Sequence, residues 1–223
     1  AAQIDDLSGG RFVLGLGMGW HEREHRQFGI PFPDVPTRYA MLVDALEITR
    51  RLFSTDGPVS YRRTHYSLDE AVLLPRPARK GGPPILIGGN GMKKTLPLAA
   101  RFADEWNGVY LTPDGYHERI DRLNELLDEL GRPRAAVRRS LMTQCLIGGN
   151  DAAVRARLDA GPEAAANLRA SDRLIGTPAQ IIDQLGRYAD AGLQRIMLMM
   201  RDQEDIAAIE LLANAVLPHF HGG

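Results

Sequence analysis

Gly88-Gly89-Asn90-Gly91 is the stretch whose residue types and spacing are best suited to chemistry. It follows the apolar run Pro84-Ile85-Leu86-Ile87 directly and precedes a helical pattern. Glycines at such a strand-to-helix turn let backbone N–H groups approach an anion, and the helix N-terminus adds partial positive charge. The phosphate of a cofactor or substrate is the functional reading. A tight turn that needs positive φ, and no ligand, is the other. The residues alone leave both open, although the spacing is not that of the nucleotide-binding loop GxxxxGK[ST].

A second glycine-rich stretch, Gly15-Leu16-Gly17-Met18-Gly19-Trp20, fails as a dinucleotide fingerprint. Its glycines fall at every second position, and the next helical pattern begins only near residue 37. Alternate glycines in a strand clear one face of it. If the sheet curls into a barrel, a planar ring can approach that face; close packing against bulky neighbours is the other account. His21-Glu22-Arg23-Glu24-His25 fits the letters of HExxH without a third ligand, so a charged loop and no metal is the expectation. Asn107 ends an apolar run where it can meet a ligand's polar edge, and Trp106 beside it reads as packing. Arg201 can meet an acidic ligand, His219-x-His221 reads as a frayed tail, and Cys145 as a buried small apolar side chain. No catalytic residue emerges from order or spacing.

The scaffold follows from apolar periodicity. Short apolar runs at Arg11–Gly17, Pro84–Gly89, Glu105–Val109, Arg139–Ile147 and Arg195–Met199 alternate with amphipathic stretches. Tyr39, Leu42, Leu46, Thr49 and Phe53 repeat at helical spacing from Thr37, and Asp56-Gly57-Pro58 stops them. Thr112-Pro113 and Thr177-Pro178 each place a hydroxyl cap before a proline, the order a helix start favours. Asn150-Asp151 caps a further helix, and Ile206–Leu217 closes the series. Val59–Leu68 reads as a hairpin turning at Arg62-Arg63-Thr64. Pro97 predicts a kink or a late start in the helix that follows the Gly-Gly-Asn-Gly turn and runs to about Ala103. Five β-α units without a linker predict one domain, 1–223, with a parallel sheet covered by helices. An open doubly wound sheet and part of a (β/α)8 barrel both fit. Ile4–Gly10 looks like a helix tail with a glycine stop, as in a chain cut from a longer one.

Composition narrows the partners. The chain has 223 residues, 44% hydrophobic and 25% charged, with 27 Lys+Arg against 28 Asp+Glu and a net charge of -1. Those values suit an ordinary globular domain and give no basic patch for nucleic acid. No apolar run reaches the roughly 18–20 residues that cross a bilayer, and the first residues carry no signal-peptide pattern. The single cysteine excludes an internal disulfide and a multi-thiolate metal site, and it fits the cytoplasm.

Taken together, several segments resemble the luciferase-like monooxygenase superfamily. They are Leu7-Ser8-Gly9-Gly10-Arg11-Phe12 through Gly19-Trp20, Phe28-Gly29-Ile30-Pro31-Phe32, Leu74-Pro75-Arg76-Pro77, Pro83–Gly89, Ala103-Asp104-Glu105-Trp106-Asn107 and Gly176-Thr177-Pro178. The branch most similar uses the deazaflavin coenzyme F-420 (F420), with users of FMN as neighbours. The resemblance implies a (β/α)8 TIM barrel of which this chain supplies strands four to eight, about the last five β/α units. It implies a coenzyme phosphate on Gly88, Gly89, Asn90 and Gly91, and a coenzyme ring near Gly17 and Met18. Bacterial luciferase has a reactive cysteine and a phosphate-binding arginine at the positions of Gly17 and Met18, so bioluminescence is not expected. The sugar-phosphate dehydrogenases of the F420 branch have an acidic residue at the position of Trp20, so their proton donor is missing. What remains is hydride transfer or oxygenation of a small organic substrate. The alternative is a non-catalytic half-barrel, resembling non-fluorescent flavoproteins, that binds flavin or associates with itself. Open sheet edges predict a homodimer or higher oligomer.

Overall fold

Among the described residues six parallel strands form one sheet, and helices cover one of its faces. The computed structural model describes residues 1–159, 172–200 and 204–220. The strands are β1 (Leu14–Leu16), β4 (Ile85–Gly88), β5 (Glu105–Val109), β6 (Arg138–Ile147), β7 (Leu174–Gly176) and β8 (Arg195–Met200). A separate antiparallel hairpin joins β2 (Val59–Arg62) to β3 (Ser67–Ala71). Its turn spans Arg63–Tyr66, a little later than the sequence suggests.

The sheet runs β1-β4-β5-β6, and β6 serves three partners in succession. Arg138–Met142 pair with β5, Ser140–Cys145 with β8, and Cys145–Ile147 with β7. Cys145 pairs with both Leu174 and Met200, so β7 and β8 lie on opposite edges of β6 at that level. β7 is a strand the apolar pattern does not announce, because three residues ending in glycine are too short to show a period. β1 is also shorter than the run Arg11–Gly17. Among the described residues it pairs with β4 alone, and the ladder reaches only from Leu14 to Leu16.

The helices are α1 (Ala2–Leu7), α2 (Glu22–Gln27), α3 (Val35–Ser54), α4 (Thr95–Phe102), α5 (Pro113–Glu129), α6 (Asp151–Asp159), α7 (Pro178–Asp190) and α8 (Ile206–Ala215). Their starts follow cap chemistry. Asp34 accepts from Thr37 N at the mouth of α3, and Thr112 Oγ1 from Gly115 N at α5. At α7, Thr177 and Gln180 form a reciprocal capping box. α2 corrects the expected charged loop: a polar turn and a half of helix forms where no apolar period exists to predict it. α4 starts late, at Thr95, which places Pro97 in the first turn, where no N–H is needed.

Between sheet and helices lies the core. Ile85, Ile87, Trp106 and Leu141 point from the strands into it and meet Tyr116, Leu123 and Leu127 of α5. Each large apolar side chain fully buried in this way contributes about 1.5–3 kcal/mol. A polar knot fixes α4 against it. Arg50 of α3 donates to the carbonyl of Phe102 and to Asp104 Oδ2 (2.7 Å), and Arg132 donates to the carbonyls of Ala100 and Ala103. Two guanidinium groups thus satisfy the carbonyls that the C-terminus of α4 leaves open. Asp104 Oδ2 also accepts from Ile85 N, which ties the same knot to the start of β4. Among the described residues no helix is long and apolar enough to cross a membrane.

Cys145 sits in the core as its sequence position suggests, and burial pushes its thiol up to about 12. The thiolate is the nucleophile, so the native protein is expected to resist iodoacetamide at pH 8. Intact-mass analysis should show one adduct per chain only after unfolding; an adduct on the folded protein would contradict this packing.

Candidate functional site

Strand alternation sends one residue set into the core and the other onto the opposite face of the sheet. On that second face the register aligns Gly15, Leu86, Glu105 and Arg138 in one row and Gly88, Asn107 and Ser140 in the next. Gly17 follows β1 at the level of the second row. Gly15, Gly17 and Gly88 are exposed. A Cβ built on Gly15 or Gly17 would meet nothing within 4 Å, and one on Gly88 only the carbonyl of Asn107 at 3.9 Å. Among the described residues no bulky neighbour fills the space these glycines leave. They form a floor without side chains.

Beside this floor lies a polar patch. Asn107 Nδ2 donates to Ser140 Oγ (2.9 Å) and approaches Met197 Sδ (3.8 Å), while Ser140 Oγ donates to the carbonyl of Trp106 (3.1 Å). Asn107 Oδ1 accepts from no described residue and stays available to a donor. Further along the same face, Met142 is paired with Met197, and the hydroxyl of Tyr110 meets Met199 Sδ at 3.5 Å. At the opposite end of the face Glu105 is buried and holds Arg195 at 3.0 Å and Arg138 at 3.8 Å.

The glycine turn closes the floor at the C-terminal end of β4. Gly89 has φ +125°, a conformation side chains rarely adopt, and a Cβ on Gly91 would lie 3.0 Å from Thr95 Oγ1. Gly89 N donates to the carbonyl of Asn107 and the indole N–H of Trp106 to the carbonyl of Gly89, both at 2.9 Å. The N–H groups of Asn90, Gly91, Met92 and Lys93 donate to no described residue. Two of the chain's three lysines, Lys93 and Lys94, stand at this turn; Lys94 Nζ lies over the ring of Tyr39 at 5.3 Å. The turn therefore combines free donors, a hydroxyl at Thr95 and positive charge.

The sheet is open along β1, with a glycine turn rich in unused N–H groups at one end and a row of exposed glycines beside it. The sequence profile of the luciferase-like monooxygenase family matches residues 1–171. The chain belongs to this family. It is 34% identical over 131 residues to an F420-dependent glucose-6-phosphate dehydrogenase of Microbacterium testaceum, covering 56% of this chain and 36% of that protein. It is 28% identical over 163 residues to a pyrimidine monooxygenase RutA of Pseudomonas savastanoi pv. phaseolicola, covering 70% of this chain and 43% of that protein. The chain thus spans well under half the length of these curated relatives. A solved F420-dependent secondary alcohol dehydrogenase, bound to an F420-acetone adduct, superposes with a TM-score of 0.81 at 22% identity. That match covers 97% of this chain and 72% of that one, and it shows a shared fold, the luciferase-like TIM barrel.

The luciferase-like fold brings Gly88, Gly89, Asn90, Gly91 and Gly17 to the same end of one sheet face. Two of the residues expected at the coenzyme, Met18 and Asn90, have side chains engaged elsewhere. The side chain of Met18 packs against the core, so only its backbone can serve the floor. Both polar atoms of the Asn90 side chain are taken by the backbone of Val109. His21 Nδ1 lies 3.2 Å from Glu24, and His25 Nδ1 3.0 Å from the carbonyl of His21. Among the described residues no group of three or more His, Cys, Asp or Glu is placed to hold a metal. Arg201 and His221 lie outside the described residues. Sequence reasoning missed Thr95, Ser140 and Met197. Trp106 carried a usable signal, since a buried indole N–H needs an acceptor and Gly89 supplies it. A groove of about 660 Å³ between Thr112–His117 and Arg187–Ala191 shares no residue with this face.

Proposed function

We propose that this luciferase-like protein is an oxidoreductase that holds the ring of coenzyme F420, or of FMN, over Gly15, Gly17 and Gly88. The coenzyme phosphate rests on the turn Gly88–Gly91. One observation carries this reading: the exposed, side-chain-free floor runs without interruption into the glycine turn with its unused N–H groups. A flat ring fits the floor, and a phosphate fits donors beside Lys93 and Thr95. F420 stands first because the 34%-identical relative is named as F420-dependent. The substrate is a small organic molecule, and neither nucleic acid nor membrane is a partner.

When bound, the coenzyme supplies hydride transfer or, with FMN, oxygen chemistry. The chain's own part is to orient. The glycine floor lets the ring approach the backbone, Asn107 Oδ1 accepts from a polar edge, and the thioethers of Met142, Met197 and Met199 shape the apolar side of the space.

Titration of the protein with F420, followed by coenzyme fluorescence, and with FMN, followed by absorbance, tests this. Saturable binding of at least one is expected, and the tighter of the two identifies the coenzyme. Failure of both to bind at about 100 μM, where even a weak site of about −5 kcal/mol would be nearly a third filled, would overturn the reading. The second reading, a half-barrel that pairs with a second copy, would then take its place. β1 pairs only with β4 and β8 only with β6 among the described residues, and such edges invite a partner strand.

A further inference from the structure

We infer that Asn90 is a positioning residue: acting through Val109, its side-chain amide holds the glycine turn in the shape that presents backbone N–H groups to the coenzyme phosphate, and it makes no contact with the phosphate itself. The inference rests on the phosphate reading above. Asn90 Nδ2 donates to the carbonyl of Val109 at 2.7 Å, and Val109 N donates to Asn90 Oδ1 at 2.9 Å. That two-point contact copies the pairing of one residue with a neighbouring strand. It stands where the backbone ladder stops. The β4–β5 register ends at Gly88 opposite Asn107, and at Gly89, with φ +125°, the main chain turns away from β5. A backbone pairing cannot continue through that bend, and the amide side chain spans it instead. The bend itself is held by Gly89 N on the carbonyl of Asn107 and by the indole N–H of Trp106 on the carbonyl of Gly89.

Four hydrogen bonds therefore fix a segment of two residues to β5, and they leave the following N–H groups unspent. Donors fixed before a charged ligand arrives bind it more tightly than donors that must be ordered on arrival. Asparagine is the side chain that meets this demand. Aspartate would lose the donor and set a negative charge beside the phosphate, and alanine would lose both bonds.

The test compares ligands that share a ring and differ in phosphate: FMN against riboflavin, and F420 against the same deazaflavin without its phosphate-bearing tail. Wild type is expected to prefer the phosphorylated ligand. Asn90→Ala is expected to cut that preference about tenfold or more, the weight of one to two charge-assisted hydrogen bonds, while riboflavin binding stays within about twofold. Asn90→Ser, which keeps a hydroxyl for one of the two bonds, should fall between them, and Trp106→Phe should cut the preference from the other side of the turn. An unchanged preference in the variants that fold would overturn the proposal, as would an equal loss of both ligands, which marks general disruption. Absence of any phosphate preference in wild type would instead refute the phosphate reading, and this inference with it.

Discussion

Replacing Arg79 with alanine is expected to destabilise the protein by about 3 kcal/mol, seen as a drop of roughly 6–12 °C in the thermal midpoint for a chain of this size. Asp5 of α1 is fully buried, and its carboxylate is held by Arg79 through both oxygens, with Nε to Oδ2 at 2.9 Å. The same guanidinium donates to the carbonyl of Phe12 at 2.7 Å. Removing Arg79 leaves a carboxylate in the interior with no counter-charge, which costs far more than the pair is worth as a pair. The loss lies at the low end of the usual range because Arg79 is itself one-third exposed, so water has a path inward.

The reverse substitution should be mild. Asp5→Ala leaves Arg79 free to turn toward solvent, and about 1 kcal/mol is expected. The double variant Asp5→Ala/Arg79→Ala should be more stable than Arg79→Ala alone, because the stranded charge is gone. Urea melts of the three variants decide the matter. A double variant no better than Arg79→Ala would mean that lost packing, and not the buried charge, dominates. The pair also bears on function, since Phe12 leads into β1 and β1 carries the glycine floor.

Gly17→Leu is expected to weaken coenzyme binding at least about 100-fold, a loss of about 2.7 kcal/mol, while leaving the unfolding free energy within about 0.5 kcal/mol of wild type. The separation comes from the site's shape. Gly17 has no positive φ and no atom within 4 Å of a built Cβ, so a side chain there enters space that no described residue occupies and that the proposed ring would fill. Gly89 is a poorer probe of the same site. A side chain at Gly89 meets a φ of +125° and Thr95 at 3.4 Å, so fold and binding would fail together. Parallel coenzyme titration and urea denaturation of Gly17→Leu give both numbers from one preparation. Unchanged affinity would remove the ring from this floor.

The order of elements and the position of the glycine turn were legible because each had a strong local signature. Apolar runs between cap residues gave β4, β5, β6 and β8, and Thr-Pro pairs gave the starts of α5 and α7. Pro97 left a kink and a late start of α4 both open, and the fold takes the late start. α2 and β7 escaped because a helix of six residues and a strand of three show no period. At the site, the alternate glycines of β1 were plain in the sequence, but which face they open depends on the neighbouring strands. The same holds for Ser140 and Met197, which reach Asn107 from strands 33 and 90 residues away. Asn90 shows the limit most clearly. Its place in a glycine turn suggested a ligand contact, and only the fold reveals that its amide is engaged with Val109.

The asymmetry between β1 and β6 has an energetic meaning. β6 is ten residues long and laddered on both edges, whereas β1 is three residues with a single neighbour among the described residues. Opening β1 breaks few hydrogen bonds and exposes little apolar surface, so among the described residues local unfolding is cheap where the floor lies. A flat ligand seated there would be bound by a weakly held strand of the sheet. Part of its binding free energy would go into ordering that strand, and a tight complex would register as added rigidity in β1.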